Sequence, residues 1–200
     1  MVKIGITGGI GSGKSTVCKV WKNCGAYIIN ADELAKEIMV SDPVVKEKLI
    51  ETFGKKSFYA DGRLNRPFLA EEAFRKGRVS ELNEIVHPRI PAQVDELFKQ
   101  AESEGHAAAV FEAALLFENL QRYNLDVIVL ILADQSMRLQ WVQKRDEVSE
   151  KLVTDRMEQQ TNFESLSERA NYVIYNDGTV AQLRERARQV YDEILNMKNG

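Results

Sequence analysis

Nine residues near the start of the chain, Gly8-Gly9-Ile10-Gly11-Ser12-Gly13-Lys14-Ser15-Thr16, follow the spacing G-x-x-x-x-G-K-[ST]. This is the composition of a phosphate-binding loop. Glycines let successive backbone N–H groups turn toward the phosphates, Lys14 adds a positive charge beside them, and the Ser15 hydroxyl can ligate Mg²⁺. Short patterns arise by chance, but this one directly follows an apolar run, Val2 to Ile6, and opens a helical pattern at Ser15. Strand, glycine loop and helix in that order predict a nucleoside triphosphate site on this loop.

Further along, Asp32 stands in Asn30-Ala31-Asp32-Glu33, at the carboxyl end of the next apolar run. Open α/β sheets place their ligands at that end of their strands. A carboxylate there can accept or orient the proton of an attacking hydroxyl during phosphoryl transfer. A local reading competes: Asn30 and Glu33 have capping-box spacing, and an acid favours the positive end of a helix. Spacing alone leaves both open. Arg138, Trp141 and Arg145 fall at i, i+3 and i+7 on one helical face, and Arg156 follows on the next helical stretch. Guanidinium groups so placed can clamp phosphates, a role worth factors of ~10³ to 10⁵ in rate, whereas on a solvated face they contribute little.

The elements that must hold these residues alternate between strand and helix, the mark of a parallel α/β sheet. Predicted strands are Val2 to Thr7, Ala26 to Asn30, Ala107 to Glu112, Leu125 to Leu132 and Tyr172 to Tyr175. Residues 31–106 carry helical patterns and no strand, far more chain than a crossover needs, which predicts an inserted helical subdomain. A second charged, helical stretch covers residues 138–169, with Ser149 as a helix N-cap, and has the character of a lid. Residues 1–30, 107–137 and 170–200 remain as the core. The last helix, Thr179 to Met197, presents Val180, Leu183, Ala187, Val190, Tyr191 and Ile194 toward the sheet. Trp21 is expected to pack on the core.

Composition narrows the function further. The chain has 200 residues, 44% of them hydrophobic, and a formal charge of -3. One core with small insertions fits that length. No Lys/Arg block suggests a nucleic-acid groove, so the expected partner is a small soluble molecule. No apolar run approaches a membrane span and the N-terminus lacks a signal-peptide pattern, so a cytoplasmic protein is expected. Cys18 and Cys24 are badly spaced for a zinc pair and are read as buried, reduced thiols.

Taken together, Ile6 to Thr16, Asn30-Ala31-Asp32, His87-Pro88-Arg89-Ile90, Leu115-Leu116-Phe117-Glu118, Lys144-Arg145-Asp146, Arg156-Met157-Glu158-Gln159-Gln160 and Ala170-Asn171-Tyr172-Val173-Ile174 resemble the dephospho-coenzyme A kinases. The likeness runs from residue 1 to about residue 190. It implies transfer of the ATP γ-phosphate to the ribose 3′-hydroxyl of dephospho-coenzyme A, with ATP and Mg²⁺, on a fold of core, helical substrate-binding insertion and lid. The resemblance assigns the ATP phosphates to Gly11, Ser12, Gly13, Lys14, Ser15 and Thr16, catalysis to Asp32, Lys14, Arg145 and Arg156, and Mg²⁺ to Ser15. It places His87, Leu115 and Glu118, with Asp32, on the acceptor side. For His87 a purely structural role before proline competes, and His106 reads as a solvated turn residue. Four departures stand out. Asn30 replaces a common acid; Ala114 replaces a proline, two residues after Glu112 at a strand end; Arg138 and Trp141 stand where glutamine and arginine are usual; Asn171 and Tyr175 replace acids near the last strand. The roles of Glu112, Arg138 and Trp141 are open, as is oligomeric state, with a monomer compatible. Two other readings compete: a phosphate-loop kinase of another small alcohol or nucleotide, and a nucleotide-dependent switch. No Asn-Lys-x-Asp or Thr-Lys-x-Asp segment reads a guanine base.

Overall fold

The computed structural model describes residues 1–158 and 160–197. Five strands form one parallel sheet: β1 (Val2–Gly8), β2 (Tyr27–Asn30), β3 (Ala108–Glu112), β4 (Val127–Leu132) and β5 (Tyr172–Tyr175), in the order β2-β3-β1-β4-β5. β1, β3 and β4 are buried on both faces, which is why they read as largely apolar runs in the sequence. β1 lies at the centre, with Ile4 opposite Val110 of β3 and Val127 of β4. The chain crosses from one side of β1 to the other between β3 and β4, so the carboxyl end of β1 is a topological switch point, where such sheets bind ligands.

The chain divides into two compact units, Met1–Ile29 with everything from Leu97 onward, and Asn30–Glu96. In the first unit, α1 (Lys14–Asn23) and α9 (Val180–Met197) pack on the sheet. Trp21 is fully buried, donates from Nε1 to Ala187 O at 2.7 Å, and has its ring centroid 5.8 Å from that of Tyr191. α9 buries Leu183, Ala187, Tyr191 and Ile194, but Val180, the first residue of the helix, is exposed. Cys18 is buried as expected; Cys24 is exposed, since it caps the last turn of α1 beyond the packed face. His106 is not a solvated turn residue either. Its Nδ1 lies 2.8 Å from Gly25 O and its ring stands edge-on to Tyr27, tying the starts of β2 and β3 together.

The second unit contains α2 (Ala31–Ser41), α3 (Pro43–Phe53), α4 (Arg66–Ala70), α5 (Val79–Val86) and the first half of α6 (Ile90–Ser103). Asp42 caps α3 ahead of Pro43, accepting from Val44 N and Val45 N. Arg78 knots the unit: it donates to Glu81 Oε1 and Oε2 at 2.8 and 2.7 Å, to Glu72 Oε2 at 3.1 Å and to Thr52 O at 3.0 Å, and its guanidinium lies 4.5 Å from the Phe53 ring centroid.

Candidate active site

The glycine loop leaves β1 at Gly8 and enters α1 at Lys14. Gly13, the residue before the helix, has φ 106° and no side chain to cap it, so the helix start is kept for an outside acceptor. A Cβ on Gly13 would also lie 2.9 Å from both Asn176 Nδ2 and Leu183 Cδ2. Lys14 arches back over the loop, its ammonium 2.7 Å from Gly8 O and 3.0 Å from Gly9 O. The cation is thereby fixed across the loop mouth rather than swinging in solvent. Ser15, in the first turn, is exposed.

Two distant segments brace this loop. Asn176, just past β5, is 7% exposed and donates from Nδ2 to Ser12 O at 2.9 Å. On the other side, Gln160 Oε1 accepts from Ile10 N at 2.9 Å. α7 (Gln135–Asp146) presses directly on the glycines: a Cβ on Gly11 would lie 2.7 Å from Val142 Cγ2 and 3.0 Å from Arg138 O, and one on Gly9 would strike Arg138 Nη1. Glycine is therefore required at 11, where φ is 76° and the α7 backbone approaches, whereas at 9 only the movable end of the Arg138 side chain stands in the way.

α7 starts at Asp134, which caps Ser136 N and Met137 N, and leads through a left-handed Glu147 to α8 (Glu150–Glu158). Ser149 does cap α8, accepting from Leu152 N at 3.4 Å. Between these elements and β4 lies a cavity of about 290 Å³ lined by Gly9, Ser12, Arg138, Gln160, Asn162 and Glu164, among others. Arg138 is half-buried there, Nε donating to Ala133 O at 3.0 Å; burial pulls its guanidinium below the ordinary value, with Glu164 and Asp134 partly offsetting. Arg145 and Arg156 are exposed and do not line this cavity. Arg145 instead holds Asp146 through two hydrogen bonds, and Asp146 is kept below the usual carboxylate range first by Arg145 and then by Arg156. Trp141 is half-buried on the same helix.

Glu112 ends β3 and contacts the Cys18 thiol; burial first, then Glu112, pushes that thiol far above its usual range, so it stays protonated. Cys18 lies one helical turn beyond Lys14, which puts the Glu112 carboxylate on the side of α1 that faces the loop. After β3, Leu116 and Phe117 are buried while Leu115 and Glu118 are exposed. Glu118 Oε1 accepts from Thr161 Oγ1 at 3.2 Å, joining this turn to the segment that carries Gln160. Gln159 lies outside the described residues.

In the second unit, Asn30 caps α2, its side chain accepting from Asp32 N and Glu33 N at 3.0 Å each. The cap uses only the backbone of Asp32, whose exposed carboxylate is left for another task. Glu33 is engaged by Lys36 at 2.6 Å. His87 sits half-buried in a short turn between α5 and α6, and Arg89 beside it pairs with Asp42 at 3.2 Å.

A sequence profile of the dephospho-CoA kinases matches residues 2–182. The chain belongs to the dephospho-CoA kinase family. The dephospho-CoA kinase of Salinibacter ruber is 41% identical over 192 residues, covering 96% of each chain, and that of Chlorobaculum tepidum is 37% identical, covering 96% of this chain and 94% of its own. Among solved structures, a dephospho-CoA kinase from Campylobacter jejuni superposes with a TM-score of 0.68 at 25% identity, covering 96% of both chains. Members of this family are ATP-dependent kinases that carry out the last step of coenzyme A biosynthesis. Among the described residues, no helix is long and apolar enough to cross a membrane. The bracing residues Gln160, Asn176 and Thr161 carry no local signal of their role; they become visible only when their partners 150 or more positions away, or 43 in the case of Thr161, are known.

Proposed function

We propose that the chain transfers the γ-phosphoryl group of ATP to the ribose 3′-hydroxyl of dephospho-coenzyme A by direct, in-line displacement. The observation that carries this is the loop between β1 and α1, with an uncapped helix start and Lys14 fixed across its mouth, in a chain of this family. Backbone N–H groups of Gly11 to Thr16 hold the phosphates, and Lys14 neutralises charge as the phosphoryl group moves. Asp32, two residues past the carboxyl end of β2, orients the acceptor hydroxyl and takes its proton. Its availability is supported by the cap geometry, in which Asn30 does the capping. Arg145 and Arg156 stabilise the phosphoryl oxygens, and His87, Leu115 and Glu118 serve the acceptor side. The core, the helical insertion at 31–106 and the lid at 138–169 divide this work.

Mg²⁺ fits the residues present. Ser15 offers an exposed hydroxyl and Glu112 a carboxylate, both hard oxygen donors, and no described group of three or more His, Cys, Asp and Glu competes with them. Held there, the ion would supply positive charge to offset that of the phosphates.

The test is turnover. Purified protein with ATP and Mg²⁺ is given dephospho-coenzyme A, adenosine and shikimate in parallel, and the product is located by phosphorus NMR. Phosphate on the 3′-oxygen of the ribose supports the reading; another position, or a higher kcat/KM with another acceptor, overturns it.

A further inference from the structure

Gln160 makes a contact for which phosphate binding alone gives no reason. An N–H must face an acceptor, so the Ile10 N–H at 2.9 Å requires the oxygen of the Gln160 amide and turns its nitrogen the other way. The Nε2 group makes no hydrogen bond with any described residue. It therefore presents two donor hydrogens beside the loop, in the cavity that Arg138 and Ser12 also line. Gln160 Oε1 and Arg138 Nη1 both lie over Gly9. Ser12 Oγ, 1% exposed in the same place, has no partner either. Gln160 is half-buried and Ser12 buried, and a buried polar group without a partner marks a place where a ligand can supply one.

That ligand has oxygen acceptors and negative charge. The α1 end of the loop takes the inner phosphates, as helix starts do, and Lys14 reaches from there to Gly8 and Gly9 on the opposite limb. Gln160 hangs on that opposite limb, on the side where the chain of phosphates ends. We infer that Gln160 reads the third phosphate: the loop fixes its oxygen, and its Nε2 donates to a terminal phosphoryl oxygen, so the residue separates a nucleoside triphosphate from a diphosphate. Loading with ATP then ties the segment after α8 to the loop through the nucleotide as well as through Ile10, and loss of the γ-phosphate removes the first of these ties.

This rests on ATP phosphates occupying the loop, and the experiment separates the two ideas. Calorimetric titration with Mg²⁺ compares ADP and the β,γ-imido analogue of ATP on the parent, Gln160→Ala and Gln160→Glu. Gln160→Ala should bind the analogue about tenfold more weakly, the scale of one charge-assisted hydrogen bond, with ADP affinity within about twofold. Gln160→Glu still accepts from Ile10 but sets an anion against the phosphate, so its loss for the analogue should approach 100-fold while ADP changes by less than about fivefold. Retained ADP binding shows that each variant is folded. Equal losses for both nucleotides would make Gln160 a structural brace of the loop and overturn the inference, as would unchanged affinity for both. If the parent binds neither nucleotide, the assignment of ATP to the loop fails instead.

Discussion

Arg145 grips the carboxylate of the residue next to it, Nε to Asp146 Oδ1 at 2.7 Å and Nη2 to Oδ2 at 2.9 Å. The pair is a planar fork on a planar acid, with Arg156 as a second cation influencing the same carboxylate. Such a fork holds a guanidinium in one orientation.

Arg145→Lys keeps the charge and loses the fork. We expect kcat to fall about 10²-fold or more with little change in KM for ATP, the pattern of an interaction made in the transition state. Steady-state kinetics within threefold of the parent would leave Arg145 as part of a surface ion pair.

Asp32→Asn should lower kcat about 10²- to 10⁴-fold, because the proton acceptor is removed while shape is kept. The helix start should survive, since Asn30 and not Asp32 supplies the cap. Asn30→Ala should do the reverse, costing about 1 kcal/mol of stability. Thermal unfolding and kinetics on the two variants separate the roles; a large stability loss in Asp32→Asn with normal kcat would reassign the acid to the helix.

The thiols differ sharply. Cys24 is exposed, whereas Cys18 is buried against Glu112 and held protonated. A disulfide reagent at pH 8 should therefore titrate one thiol in the native protein and both in denaturant. Rapid reaction of two native thiols would contradict the packing of α1 on β3.

Arg78 makes a pH-dependent contribution in the helical unit. Glu81 is held below the usual carboxylate range by Arg78, and Glu72 by Lys76 and then Arg78. A depressed acid stabilises fully above its unfolded value, about 4.3, and that contribution is lost as pH falls through the folded value. Arg78→Met should thus lower Tm at pH 7, with the gap narrowing toward pH 3. A gap independent of pH would assign the whole effect to packing on Phe53.

The sequence revealed what is local. The central strands, buried on both faces, read as apolar runs, and the short, half-buried edge strand β5 still coincides with the predicted one. The loop could be read because all its parts lie within nine residues. The brace at Gln160, the brace at Asn176 and the Glu118 to Thr161 contact could not, since each joins segments far apart and uses common polar residues in turns. His106 and Cys24 were misread for a related reason: burial at the end of an element depends on what the next strand brings alongside, which local pattern does not encode. Arg138 shows the same limit. Its helical face was legible, but its position over Gly9 depends on how closely α7 approaches the loop.

The central position of β1 sets the order in which the newly made chain becomes competent. Val2, Ile4 and Ile6 leave the ribosome among the first residues, yet β3 and β4, which cover them, are encoded at 108–112 and 127–132, and the loop's rear support at 176 follows later still. That strand therefore waits unpaired until both of its neighbours have been made, an interval in which aggregation and chaperone capture compete with folding. Nucleotide offers no early rescue, because a ligand stabilises only the state that binds it and that state needs nearly the whole chain. Shortened products ending before residue 176 should be cleared by proteolysis whether or not ATP is abundant.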